Sequence, residues 1–348
     1  MELYRKVIKT ITENNLIKSG EKIVVAVSGG PDSMALLDVL NNINKNIDKK
    51  NGKIEFQIVV AHVNHNLREE AKEEGKYVSN YCKERNIPFY IKSIDIMSIV
   101  EKNKKGIEET AREERYKFFN EVLENTNANK IAIAHNKNDN VETVIMNMLR
   151  GTSVNGLKGI EIRREKYIRP LMECSREEIE KYCNENEINP RIDKSNFENT
   201  YTRNKIRNIL IPMIKEEFNP NILEGITRLS KLVKEQEEYI NKQAKEIYNK
   251  IVLKDYNKED QEIVDKKNID KNIIIDLKLF NIQENAIKSK IILYTIISLF
   301  GTSKGIEKVH IEDIIKMCNK REGNKFLTPN KNFKVLIKNK KIYFIKLI

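Results

Sequence analysis

The sequence predicts an α/β protein: a parallel five-stranded sheet wrapped by helices on both faces, then a helical region and a small α+β C-terminal domain. Three observations carry this. Strand-like and helix-like segments alternate from Lys22 to Met172. The strand segments are β-branched apolar runs such as Lys22-Ile-Val-Val-Ala-Val27, the pattern of strands buried on both faces. From Ser175 the periodicity becomes helical, and short strands return only near the C-terminus. Alternation of this kind joins parallel strands by crossover helices, and such sheets take ligands beyond the carboxyl ends of their strands.

An amphipathic helix with Leu3, Val7, Ile8 and Ile11 on one face opens the chain. Strand 22–27 follows, then a glycine turn and a helix from Ser33, a strand over 55–62, a helix over 69–85 and a strand over 88–95. A helix over 106–124, a strand over 130–135, a helix over 139–150 and a fifth strand over 167–172 complete the alternation. Ser175-Arg-Glu-Glu178 is a capping box that starts the next helix. Helices near 202–218 and 221–251 come next, and the polar stretch 255–272 reads as a linker or long loop. The last unit combines helices near 283–300 and 310–319 with a meander of short strands at Phe326-Leu327, 333–338 and 341–346.

A chain of 348 residues has room for two or three domains with real cores. Its longest near-apolar stretch, Ile291 to Phe300, is about half a membrane span. The opening Met1-Glu-Leu-Tyr-Arg-Lys6 lacks the apolar core of a signal peptide. Cys82, Cys174, Cys183 and Cys318 are widely spaced, with no CxxC pair, which fits reduced thiols better than a disulfide frame or a zinc ribbon. The reading is therefore cytoplasmic, with no membrane partner. The formal charge of +12 points to a polyanion, although a lysine-rich composition alone yields an excess of this kind. Placement is more telling: eight of the 15 arginines lie between Arg150 and Arg207. Arginine presents a planar fork to phosphate that lysine lacks. The final stretch from Lys325 holds seven lysines and no acid, which suits a nucleic-acid surface and guarded strand edges equally.

The most informative segment is Ser28-Gly29-Gly30-Pro31-Asp32-Ser33, at the junction between the first strand and its helix. Helix-terminal N–H groups and two glycines make such a loop a phosphate site. The lysine of the GxxxxGK[ST] loop is missing, so that reading fails. Ala61-His62-Val-Asn-His65-Asn-Leu-Arg68 ends the second strand. Arg112 and Arg115, three apart, share a helix face, either paired with nearby glutamates or facing phosphate. His135 to Thr143 joins the fourth strand to its helix. There Asp139-x-x-Glu142 reads both as a capping box and as a carboxylate pair able to bind Mg²⁺ or take a proton from an amine. Asp193-Lys-Ser195-Asn196 precedes Arg203, Asn204 and Arg207, a polar face suited to a nucleic-acid backbone.

Taken in order, SGGPDS, HVNHNLR, ARxxRY, AH…DNxET, Arg169-Pro-Leu and DxSN…YTRNxIR resemble the tRNA(Ile)-lysidine synthase family of the PP-loop ATP pyrophosphatases. The resemblance covers most of residues 1–215 and, more loosely, the last part of the chain. It implies a Rossmann-like PP-loop sheet. It also implies a ligase that uses ATP and Mg²⁺ to join L-lysine to C2 of the wobble cytidine in the CAU anticodon of tRNA(Ile). The reaction passes through an adenylated cytidine, releases pyrophosphate and AMP, and changes codon reading from AUG to AUA. On this chain, Ser28, Gly29, Gly30, Pro31, Asp32, Ser33 and His62 would bind ATP. Asp32, Arg112, Arg115, His135, Asp139 and Glu142 would be catalytic, with Asp32 and Asp139 at Mg²⁺. Arg203, Asn204 and Arg207 would meet tRNA. The expected division is a catalytic domain over 1–215, a helical linker region over 216–254 and a tRNA-binding domain over 255–348; a homodimer is left open.

Two departures stand out. The family's paired-His, paired-Asp run is His135-Asn136-Lys-Asn138-Asp139 here, with Asn in place of one His and one Asp, and the chain ends at Ile348 where many members continue, so a short form or a truncated one is expected. The rival within the superfamily is a PP-loop tRNA thiolation enzyme, which the unpaired cysteines disfavour. A non-catalytic nucleotide-binding module would need neither Asp139 nor Glu142, and a small-metabolite amide ligase would not need the arginine cluster.

Overall fold

The computed structural model describes residues 2–45, 54–64, 70–191, 198–199, 201–253, 260, 263, 272–320 and 325–347. Two compact units emerge, Met1–Lys231 and Leu232–Ile348. The motif segments His65–Arg68 and Asp193–Asn196 lie outside the described residues.

The first unit contains helices α1 (Glu2–Glu13), α2 (Pro31–Lys45), α3 (Glu70–Glu84), α4 (Ile96–Asn103), α5 (Ile107–Asn125), α6 (Lys137–Leu149), α7 (Arg176–Glu185), α8 (Thr202–Lys205) and α9 (Ile211–Glu217). A π-helical turn, Ile206–Leu210, joins the last two. Its strands are β1 (Lys22–Ala26), β2 (Gln57–Asn64), β3 (Phe89–Ser93), β4 (Lys130–Ala132), β5 (Arg163–Arg164) and β6 (Tyr167–Ile168), in the order β3-β2-β1-β4-β6-β5. Five of them run parallel, as the alternation predicts, and β5 adds a short antiparallel edge.

Alternation along β1 divides the core. Ile23 and Val25 face a cluster with Leu3, Val7, Leu36 and Leu40, while Val24 and Ala26 face Phe118, Phe119 and Val122 of α5. The sheet order reverses between β1 and β4, and a crevice opens beyond their carboxyl ends at such a switch point.

Four local expectations are corrected. The fifth strand is two residues long, not six, because Pro170 cannot continue the ladder beyond Arg169. Helix α4 begins where a strand end was expected, because the Asp95 side chain caps it through the Ser98 N–H at 3.2 Å. Helix α6 starts at Lys137, and its capping box is Asn136 with Asp139, not Asp139 with Glu142. The C-terminal meander gains a fourth strand over 272–276.

Helix α10 (Ile222–Ile251) runs from the first unit into the second. The second unit holds β7 (Asn272–Asp276), α11 (Leu277–Asn281), α12 (Asn285–Phe300), α13 (Lys308–Asn319), β8 (Lys325–Asn330), β9 (Phe333–Lys338) and β10 (Lys341–Lys346). Its antiparallel sheet, ordered β7-β10-β9-β8, packs Val335, Ile337, Ile342 and Phe344 against Ile291, Ile296 and Ile314 of the helices. No described helix is long and apolar enough to cross a membrane.

Candidate active site

The loop after β1 is organised by one hydroxyl. Ser33 Oγ accepts the N–H groups of Ser28 at 3.1 Å and Gly29 at 3.2 Å, and donates to the Gly30 carbonyl at 3.0 Å. Pro31 occupies the first position of α2, where a missing N–H costs nothing. The N–H groups of Asp32 and Ser33 follow in the first turn, with no intrahelical acceptor, an arrangement suited to an anion. Gly29 has φ +95°, which L side chains rarely adopt, although a Cβ there would meet Glu74 only at 3.5 Å. Gly29→Ala is therefore strained rather than crowded, by about 1–2 kcal/mol. It should raise KM for ATP roughly tenfold, with a drop of a few degrees in Tm; initial-rate kinetics and thermal melts check this.

Asn136 ties this loop to the segment after β4. Its Nδ2 donates to Asp32 Oδ1 at 3.0 Å, and its Oδ1 accepts the Asp139 N–H at 3.0 Å. The backbone N–H of Asn136 donates in turn to Asp139 Oδ2 at 3.0 Å. One amide thus caps α6 and spaces two carboxylates. Burial, then the Asp139 charge, push the Asp32 pKa up to about 6, against the opposing pull of Arg176, the Asn136 bond and Arg207.

Asp139 belongs to a closed ion-pair network. Arg203 Nε donates to Glu142 Oε2 at 2.8 Å and its Nη2 to Asp139 Oδ1 at 3.0 Å. Arg207 Nε donates to Glu142 Oε1 at 2.5 Å, and its Nη2 reaches Glu142 Oε2 at 2.8 Å and Asp139 Oδ1 at 3.2 Å. The Glu142 side chain is 1% exposed and that of Asp139 14%. A carboxylate this deeply buried needs such partners. Glu142 therefore anchors the arginines, while Asp139 is the member nearer the solvent. The π-helical turn sits at Arg207, a placement common at functional sites.

His135 is held from behind by Arg169, whose Nε donates to His135 Nδ1 at 3.1 Å. Burial first, then Arg169, Arg203, Arg112 and Arg115, push the His135 pKa down to about 3, so the ring is neutral. On α5, Arg112 Nη2 donates to the Tyr116 hydroxyl at 3.3 Å, and Tyr116 meets Tyr167 edge-on at 5.1 Å.

These pieces line one cleft of about 950 Å³. Of the sequence-predicted residues, Ser28, Gly30, Pro31, Asp32, Ser33, Arg112, Arg115, His135 and Arg207 line it. Asp139, Glu142 and Arg203 are not among its lining residues and join Arg207 through the ion pairs, and Gly29 shapes the loop. His62 is 1% exposed and lies beneath the loop, its Nδ1 at 2.8 Å from the Val27 carbonyl. Asn204 Nδ2 donates to the Glu198 carbonyl at 2.7 Å. Sequence reasoning missed the wall formed by α7 and the loop after it: Arg176, Glu180, Cys183, Asn184, Asn189, Pro190 and Arg191. One signal was present, because Arg176 belongs both to the arginine cluster and to the capping box that starts α7. Arg191 could not be placed without the fold, since its N–H reaches back to the Gly29 carbonyl at 3.0 Å.

The family model of the PP-loop domain matches residues 2–214, the unit that carries the cleft. A tRNA(Ile)-lysidine synthase of Clostridioides difficile (strain 630) is 39% identical over 98% of this chain and 70% of its own length. The chain belongs to the tRNA(Ile)-lysidine synthase family. Another such synthase, from Clostridium acetobutylicum, is 42% identical over 93% of this chain and 66% of its own length. The chain thus spans about two thirds of the length of these lysidine synthases. Among solved structures, the U34-tRNA thiolase NcsA from Methanococcus maripaludis with its [4Fe-4S] cluster superposes with a TM-score of 0.54 at 22% identity. That match covers 67% of this chain and 78% of the thiolase, and it shows a shared fold. PP-loop lysidine synthases use ATP, which matches the anion-binding loop described above.

Proposed function

We propose that the protein joins L-lysine to C2 of the wobble cytidine of a CAU-anticodon tRNA(Ile), with ATP as the energy source. The observation that carries this is the cleft itself. A loop on β1 that carries the Asp32 carboxylate faces, across the switch point, a neutral histidine among arginines, and Asn136 ties Asp32 to the adjoining carboxylate of Asp139.

In the first half-reaction the cytosine C2 oxygen attacks the α-phosphorus. An O–P bond forms, the bond to the bridging oxygen breaks, and pyrophosphate leaves. The Asp32 and Ser33 N–H groups hold the departing pyrophosphate, with the Ser33 hydroxyl fixing the loop around it. Arg112 and Arg115 face the α-phosphoryl oxygens, where charge builds in the transition state. Asp32 and Asp139, two mutually repelling carboxylates linked through Asn136, would be the residues to hold Mg²⁺. When bound, the ion neutralises charge on the pyrophosphate.

In the second half-reaction the lysine amine attacks C2, a C–N bond forms, and AMP departs with the C2 oxygen. The amine is nucleophilic only after losing a proton. Asp139, oriented by the α6 cap and the arginine pair, accepts it once pyrophosphate has left. In this reading Arg203, Asn204 and Arg207 meet the tRNA, and the final lysine-rich strands meet another part of it. The scheme works in a monomer or a homodimer, in the cytoplasm.

Thiolation is the weaker reading. Cys82, Cys174, Cys183 and Cys318 are all buried, and burial pushes each thiol up to about 12. Cys183, which lines the cleft, is therefore a protonated thiol and a poor sulfur carrier.

ATP labelled at the α-phosphorus tests the order of steps. Without lysine, label should appear on the unmodified tRNA. Label on lysine, as a lysyl adenylate, would overturn the scheme.

A further inference from the structure

Arg169 is only 7% exposed, yet its hydrogen bonds go to uncharged groups. Nη1 donates to the Glu161 carbonyl at 2.6 Å, Nε donates to His135 Nδ1 at 3.1 Å, and Tyr116 is a third partner. Burying a guanidinium among neutral acceptors is costly, which makes this arrangement a demand of the site rather than of the core. The backbone dictates the meeting. Strands β4 and β6 pair in parallel, and the Ile133 N–H donates to the Ile168 carbonyl at 2.9 Å. Arg169 and His135 thereby leave neighbouring strand ends, and the guanidinium reaches the ring.

Arginine carries five donors and no acceptor, so the bond at Nδ1 leaves that nitrogen without a proton. The single proton of a neutral ring then resides on Nε2. The charged groups acting most strongly on the ring are Arg169, Arg203 from α8, and Arg112 and Arg115 from α5, all of them cations.

We propose that Arg169 is a positioning residue of the reaction: it fixes His135 as the neutral Nε2–H tautomer, so the ring meets the substrate as a hydrogen-bond donor and not as a base. Imidazolium formation among four guanidiniums is disfavoured, so proton transfer falls to the carboxylates. The Nε2–H group points to a substrate oxygen that gains charge, the pattern of a neutral catalytic imidazole. The catalytic part of this proposal rests on the ligase reading; the tautomer does not.

The test is ¹⁵N–¹H correlation spectroscopy on the whole chain labelled at its four histidines, with the His135 signal identified by its loss in His135→Gln. The expected spectrum has a protonated Nε2, a bare Nδ1 and no titration between about pH 5.5 and 8.5, where an ordinary histidine titrates. In Arg169→Met the ring should become a mixture of tautomers, part of it protonated on Nδ1, and stay neutral over this range, since burial and the other three guanidiniums remain. Turnover should fall by about 10²–10³-fold, the cost of one preorganised donor. Because glutamine presents an N–H without help from Arg169, Arg169→Met/His135→Gln should be no slower than His135→Gln. A protonated Nδ1 in the unsubstituted protein overturns the proposal. So does an Arg169→Met variant that only melts earlier, with ring spectrum and turnover unchanged. Lysine transfer absent from a protein showing the expected ring state would instead refute the ligase reading.

Discussion

Asp139→Asn should lower lysine transfer by about 10²–10⁴-fold while the protein stays folded, the loss expected when a positioned proton acceptor is removed. The substitution is nearly isosteric. It keeps an acceptor for the Asn136 N–H but removes the charge that receives Arg203 and Arg207. Stability should fall by only about 1–2 kcal/mol, from a weakened cap and weaker arginine bonds. For a unit of this size that is a few degrees of Tm. Initial rates and thermal melts on one preparation separate the two roles. A variant that melts several degrees earlier yet turns over normally would reduce Asp139 to a helix cap.

Asp32→Asn should do the opposite to stability: the protein melts higher at pH 8 and transfers lysine at least about 100-fold more slowly. The Asp32 pKa rises from 3.8 to about 6, through burial first and the Asp139 charge second. A raised carboxylate holds its proton more tightly in the folded state than in the unfolded one. Between about pH 4 and pH 6 the native state therefore binds more protons, and stability declines as pH rises through this window. Above it the ionised group costs about 3 kcal/mol. Asparagine removes that cost, so in chelator-containing buffer Tm should rise by several degrees at pH 8. The gain should vanish below pH 4. A lower Tm for Asp32→Asn at pH 8 would show that the charge is stabilising and that the two carboxylates do not repel.

The sheet was legible because parallel strands buried on both faces leave apolar β-branched runs in any order of neighbours. The loop over Ser28–Ser33 was legible because its chemistry is local. Asn136 was not. In the sequence it is only a departure from the family's paired-His, paired-Asp run; in the fold it is the N-cap of α6 and the bridge from Asp32 to Asp139. An asparagine at a helix start signals a cap, but its second bond spans 104 residues and depends on the β1–β4 pairing. The α7 wall of the cleft stayed hidden for the same reason. Arg169 was quoted only as part of a motif, since a buried cation that sets the state of a neighbouring ring carries no periodicity or spacing of its own. Arg203 and Arg207 were placed on one polar face, but a face says nothing of what it meets. Here it meets Glu142 and Asp139.

Incubation of the purified chain with ATP, labelled L-lysine and unmodified CAU-anticodon tRNA(Ile) tests the central claim most directly. The predicted result is label in the tRNA at the wobble cytidine, with AMP and pyrophosphate released in step with each lysine transferred. No lysine in the tRNA, with AMP formed only when a sulfur donor is supplied, would contradict it.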